Sequence, residues 1–85
     1  MIREVRWREL MPYEKTVKVL PDDLKIGDWL VFRGWGVEVK PMLKQVRSID
    51  DPGFGFMLGL NTERGFERKE LPYDREVEII ERDDS

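Results

Sequence analysis

Apolar side chains fall mostly at every second position in this chain, in short runs separated by proline, glycine and acidic clusters. Alternation at period two is the signature of a half-buried strand. Residues 15–20 set Val17 and Val19 on one face and Lys18 on the other, predicting a strand that Pro21-Asp22-Asp23 then turns. The run Trp29-Leu30-Val31-Phe32 is apolar on both faces, which predicts the central strand. Arg33-Gly34-Trp35-Gly36 reads as a hairpin tip, since glycine takes the positive φ of tight turns. Residues 37–40 resume the alternation, Pro41 interrupts it, and residues 42–49 continue the ladder on an edge or after a bulge.

Asp50-Asp51-Pro52-Gly53 is the strongest turn signal in the chain. Beyond it Phe54, Phe56, Leu58 and Leu60 share one face, while Gly55, Met57 and Gly59 share the other. Glycines along one face of a strand imply that something packs close there or that the strand bends. A hairpin at residues 61–65, a strand at 66–71, a short turn at Pro72-Tyr73-Asp74 and a last strand at 77–80 complete the pattern. Residues 2–11 fit either a strand or a helix face, and we read them as a strand that Pro12 ends. Short strands with turn signals every 8–12 residues predict an all-β fold of five to seven antiparallel strands, closed into a small barrel to remove its edges.

Composition narrows the picture. Eighty-five residues suit one domain, taken as 1–82, with an acidic end at 83–85 and the whole stretch from Glu81 read as frayed. Without alanine, the best helix former, the chain favours sheet. With no cysteine and no histidine there is no disulfide, no thiolate or imidazole metal site and no Ser-His-Asp or Cys-His nucleophile. The acidic doublets sit at turns and at the end of the chain, where aspartate bonds its own backbone. The expectation is a protein that is not an enzyme and takes no cofactor and no metal. With no apolar run long enough for a signal peptide or a membrane span, a cytoplasmic location is expected.

The net charge of −3 hides an asymmetry. Residues 1–49 carry ten basic and seven acidic side chains, and residues 50–85 carry five and eleven. The split predicts either attraction between strands drawn from the two halves or a bipolar surface, and we prefer the first.

The entry 24–32 (Leu-Lys-Ile-Gly-Asp-Trp-Leu-Val-Phe), two hairpins and the closing stretch 70–80 resemble an SH3-like small β-barrel, in particular small barrels common in phage and bacterial genomes. The resemblance covers residues 24–80 and leaves the N-terminal stretch as an extra strand or arm. It implies a one-turn 3₁₀ segment before the last strand and an accessory protein of a phage or bacterium. The acidic-aromatic loop of peptide-binding SH3 domains is not matched, so no proline-rich ligand is implied.

Trp29, Phe32, Phe54, Phe56 and Phe66 occupy strand positions expected in the core. That leaves Trp35, which either tucks over the barrel end or anchors a partner. It also leaves Trp7 and Tyr13, interleaved with Arg6 and Arg8; Trp7 either lies across the barrel or is displayed. Aromatic and Arg residues are enriched at interface hot spots. Trp35, Trp7, Arg6, Arg8 and Tyr13 are therefore the candidate partner-binding residues of a protein–protein interaction module, whose partner is another protein or a second copy as a homodimer. The alternative is a single-stranded nucleic-acid binder, with Arg3, Arg6, Arg8, Lys15 and Lys18 on phosphates and aromatic rings under bases.

Overall fold

The computed structural model describes residues 8–34 and 40–82. Six strands make one sheet: β1 (Thr16–Val19), β2 (Trp29–Phe32), β3 (Met42–Asp50), β4 (Phe56–Thr62), β5 (Gly65–Leu71) and β6 (Val77–Ile80). Their order is β1-β6-β2-β3-β4-β5, and every pairing is antiparallel. The chain runs a meander from β2 to β5, returns as β6 beside β2, and adds β1 outside β6. The all-β class read from the pattern is the class observed.

Among the described residues the expected closure is absent. The hydrogen-bonded sheet ends at β1 on one side and β5 on the other. It curls nonetheless: β5 lies three strand spacings from β2, about 14 Å in a flat sheet, yet Lys69 Nζ of β5 stands 5.2 Å from the Phe32 ring of β2. The curl wraps one core of Leu24, Leu30, Val46, Leu58, Leu60, Leu71 and Ile79 on the inner face. Val31, Leu43 and Ile80 form a smaller cluster on the outer face.

The fully buried core is aliphatic, which corrects the expectation for Phe54 and Phe66, while Phe32 and Phe56 pack against it partly buried and Trp29 packs against the outer cluster. Phe54 and Phe66 are 61% and 59% exposed, and Trp29, Phe32 and Phe56 are half-buried. A tightly curled sheet has room inside for Leu and Val, so the rings go to its ends and outer face. Phe54 precedes β4 and lies in the loop. Phe32 ends β2 at the mouth of the curl, with the ammonium groups of Lys44 and Lys69 over its ring. Phe66 lies over Gly59 on the outer face: a Cβ added at Gly59 would come within 2.7 Å of the Phe66 ring. The close approach inferred from the glycine row is therefore real.

Other elements shift for identifiable reasons. Residues 8–11 lie outside any strand, and Pro12-Tyr13 forms a turn whose Glu14 N–H bonds the Met11 carbonyl at 3.0 Å. β3 is internal rather than an edge, and its irregularity is a bulge between Val46 and Ser48. The 3₁₀ turn falls at Pro21–Asp23, after β1. Before β6 there is only a turn, closed by Arg75 N–H to the Pro72 carbonyl at 3.3 Å. The strand read at 37–40 falls in part on residues 37–39, outside the described residues; Lys40 is not in a strand.

Among the described residues two of the four ion pairs join the halves in the expected sense, while Arg82–Asp28 joins them in the reverse sense and Arg8–Glu14 lies within the first half. Arg33 donates to Glu78 and Lys44 pairs with Glu67, each a first-half cation on a second-half acid. Arg33 holds the Glu78 carboxyl below its ordinary pKa, chiefly through that hydrogen bond.

Gly55 makes a test of the backbone. Its φ is +145°, and a Cβ there would stand 2.9 Å from the Leu71 carbonyl oxygen. Gly55→Ala is expected to cost about 2 kcal/mol, more than Gly53→Ala, where φ is also positive but the space is open. Urea unfolding of the two variants checks the order.

Candidate functional site

The segment from Arg8 to Glu14 lies against the outer face. Leu10 packs on the Val31, Leu43 and Ile80 cluster, together with Trp29. The Arg8 guanidinium sits 5.2 Å from the centre of the Trp29 ring, within cation–π range. Arg8 also pairs with Glu14. The other Glu14 oxygen accepts the Met11 N–H at 3.0 Å. One carboxylate thus holds both ends of the Pro12-Tyr13 turn, and the Met11 N–H, followed by Arg8, lowers its pKa despite an opposing contribution from burial.

This brace turns side chains outward. Tyr13 is 81% exposed, and Met11 beside it is exposed as well. A cleft of about 350 Å³ runs beneath the segment between Leu10 and the start of β3, with Lys40 and Glu63 at its rim. A second, of about 270 Å³, is lined by Arg8, Glu14, Asp28, Trp29 and Arg82. Arg8 Nη1 is buried without a hydrogen-bond partner, a donor with capacity left.

Below the second cleft, Asp28 is the one buried charged side chain among the described residues. The turn over 25–28 folds its carboxylate back onto the Lys25 N–H at 2.9 Å. Arg82 donates Nε to Oδ1 at 2.8 Å and Nη2 to Oδ2 at 2.6 Å, and Nη2 also reaches the Asp23 carbonyl. Burial pushes the Asp28 carboxyl up, but the Arg82 and Lys25 hydrogen bonds with their charges outweigh it, and the group ionises below the ordinary aspartate value. The stretch from Glu81 is therefore not frayed where it is described: Glu81 N–H donates to the Lys15 carbonyl at 2.8 Å, and Arg82 is clamped.

At the opposite end of the sheet, Tyr73 meets Phe56 edge to face at 4.9 Å and donates its hydroxyl to Asp51. That bond raises the phenol pKa. Asp51 also accepts the Gly53 N–H at 3.0 Å, the local turn role expected of it.

Of the residues singled out from sequence, Tyr13 is displayed, and Lys15 and Lys18 are exposed. Arg8 is directed to Trp29 and Glu14. Arg3, Arg6, Trp7 and Trp35 lie outside the described residues. Sequence reasoning passed over Glu14, Asp28 and Arg82. The available signals were the acid immediately after Gly27 at the entry to the most apolar strand, and a carboxylate three residues beyond Met11. Among the described residues no group of three or more acids is placed to hold a metal ion, and no helix is long and apolar enough to cross a membrane.

The fold and this surface define a class: a curled six-stranded antiparallel β domain with a braced turn on its outer face. Comparison with protein-family models, curated proteins and solved structures finds no match to the chain.

Proposed function

We propose that this chain is a non-enzymatic protein–protein interaction module that presents Tyr13 and Met11 to a partner on the turn braced by Glu14. The observation that carries the reading is the contrast within one segment. Arg8, Leu10 and Glu14 face inward and fix the backbone, while Tyr13 is left 81% exposed. A rigid aromatic on a preordered turn loses little entropy on binding, which is what an anchor residue needs. The SH3-like relationship fits the meander β2 to β5 with β6 returned beside β2. An accessory role in a phage or bacterium follows from the same resemblance, and the absence of cysteine suits the cytoplasm.

Affinity purification from the native source with the tagged domain, read by mass spectrometry, tests the reading. Tyr13→Ala is expected to keep its circular dichroism spectrum and to weaken recovery of the partner about thirtyfold, as loss of a hot-spot aromatic does. Undiminished recovery by both Tyr13→Ala and Met11→Ala overturns it.

The exposure of Lys15 and Lys18 next to Tyr13 favours one second reading, single-stranded nucleic acid along Arg3, Arg6, Arg8, Lys15 and Lys18. Arg8 meets Glu14 instead of open solvent, which weighs against it. Fluorescence titration with oligonucleotides at low salt decides, and an unchanged tryptophan signal removes this reading.

A further inference from the structure

We propose that β5 is a self-pairing edge through which two copies of this chain form an antiparallel dimer. β5 has seven residues, and among the described residues its backbone ladder runs with β4 alone. In an antiparallel ladder alternate residues turn their N–H and C=O away from the paired neighbour, so β5 offers a row of backbone donors and acceptors on its outer side. A charged edge is usually protected, because an identical strand meets it with like charge. The β5 sequence reverses that rule.

Two identical antiparallel strands related by a two-fold axis pair residue for residue about a central one, since opposed side chains must point to the same side of the sheet. Full overlap of Gly65–Leu71 places the axis at Arg68. Glu67 of each copy then faces Lys69 of the other, twice. Phe66, 59% exposed, faces Glu70 of the other copy. The two Arg68 side chains meet at the axis, each diagonal to the other copy's Glu70 and Phe66, within reach of long side chains. The other free edge fits a second copy less well: β1 has four residues and one charge, Lys18, which lies opposite Glu78 of β6.

One strand pair with its flanking side chains is a small interface, so the dimer is weak, with a dissociation constant on the order of 100 μM. This surface is separate from the Tyr13 turn, and the test needs only the purified chain, so the two proposals fail independently. Sedimentation equilibrium across a concentration series is expected to show a monomer–dimer equilibrium. Glu67→Lys and Lys69→Glu, each checked for fold by circular dichroism, are expected to weaken it about tenfold or more by opposing like charges. Mixing the two variants in equal amounts restores dimer as a heterodimer, because the first then carries a cation at both exchanged positions and the second a carboxylate at both. Since Glu67 also holds Lys44 and Lys69 lies over the Phe32 ring, the double exchange on one chain, Glu67→Lys with Lys69→Glu, supplies a second measurement and is expected to dimerise like the original. A monomer at every concentration, a dimer indifferent to the single exchanges, or a mixture that stays monomeric overturns the proposal.

Discussion

Leu58→Ala is expected to lower the unfolding free energy by about 3–4 kcal/mol, the largest single-residue effect in this domain. Leu58 is fully buried at the centre of the inner cluster, with Leu30, Val46, Leu60, Leu71 and Ile79 around it. Truncation removes its transfer free energy and leaves a void that strands bonded on both sides of β4 cannot collapse into. A domain of this size has about 5–10 kcal/mol to lose, so much of its stability goes with that one side chain. Phe66→Ala is the control. Its ring is larger but mostly exposed, and its loss is expected to cost about 1 kcal/mol or less. Urea unfolding followed by circular dichroism gives both values, and a larger loss for Phe66 than for Leu58 would place the core on the wrong face of β4.

Arg82→Ala is expected to cost about 2 kcal/mol at neutral pH, because it leaves the Asp28 carboxylate buried with only the Lys25 N–H to satisfy it. The loss depends on pH in a defined sense. Asp28 has a depressed pKa in the folded chain, so its pairing contributes fully above the unfolded aspartate value and is lost as pH falls through the folded one. Arg82 stabilises only the ionised carboxylate. The unfolding free energies of the original chain and the variant are therefore expected to converge as the pH is lowered from 7 towards 3. Parallel curves over that range would show that Arg82 acts through packing and its bond to the Asp23 carbonyl, and not through the Asp28 charge.

The fold was legible where local rules govern it. β2 begins and ends where the doubly apolar run does, and Asp51, Pro52 and Gly53 turn the chain as their preferences dictate. Period two on its own could not show which face of β4 and β5 is covered, because that depends on how sharply the sheet curls. Hence Phe66, in phase for a strand, reads as a core residue while its ring packs outside on Gly59. Closure failed for the same reason: edge avoidance is a tendency of whole sheets, and here β5 and β1 end the ladder unjoined. In the site, Tyr13 was singled out as an aromatic interleaved with arginines, and its ring is exposed. Arg8 was legible as a cation beside an aromatic, but its ring is Trp29, far along the chain. The Asp28 and Arg82 pair spans fifty-four positions, and no spacing rule connects residues that far apart.

That separation also sets the order in which the molecule can be made. β1 lies early in the sequence and, among the described residues, pairs only with β6, which lies late; the same late segment supplies Ile79 to the core and Arg82 to the 25–28 turn. The meander from β2 to β5 pairs through hairpins of short reach. β1 must wait, with its backbone unpaired and Val17 and Val19 open to water, until residues 77–82 are in place. Ordering then arrives in one late step, and the interval before it is when the partly folded chain is most exposed to chaperones and to its neighbours.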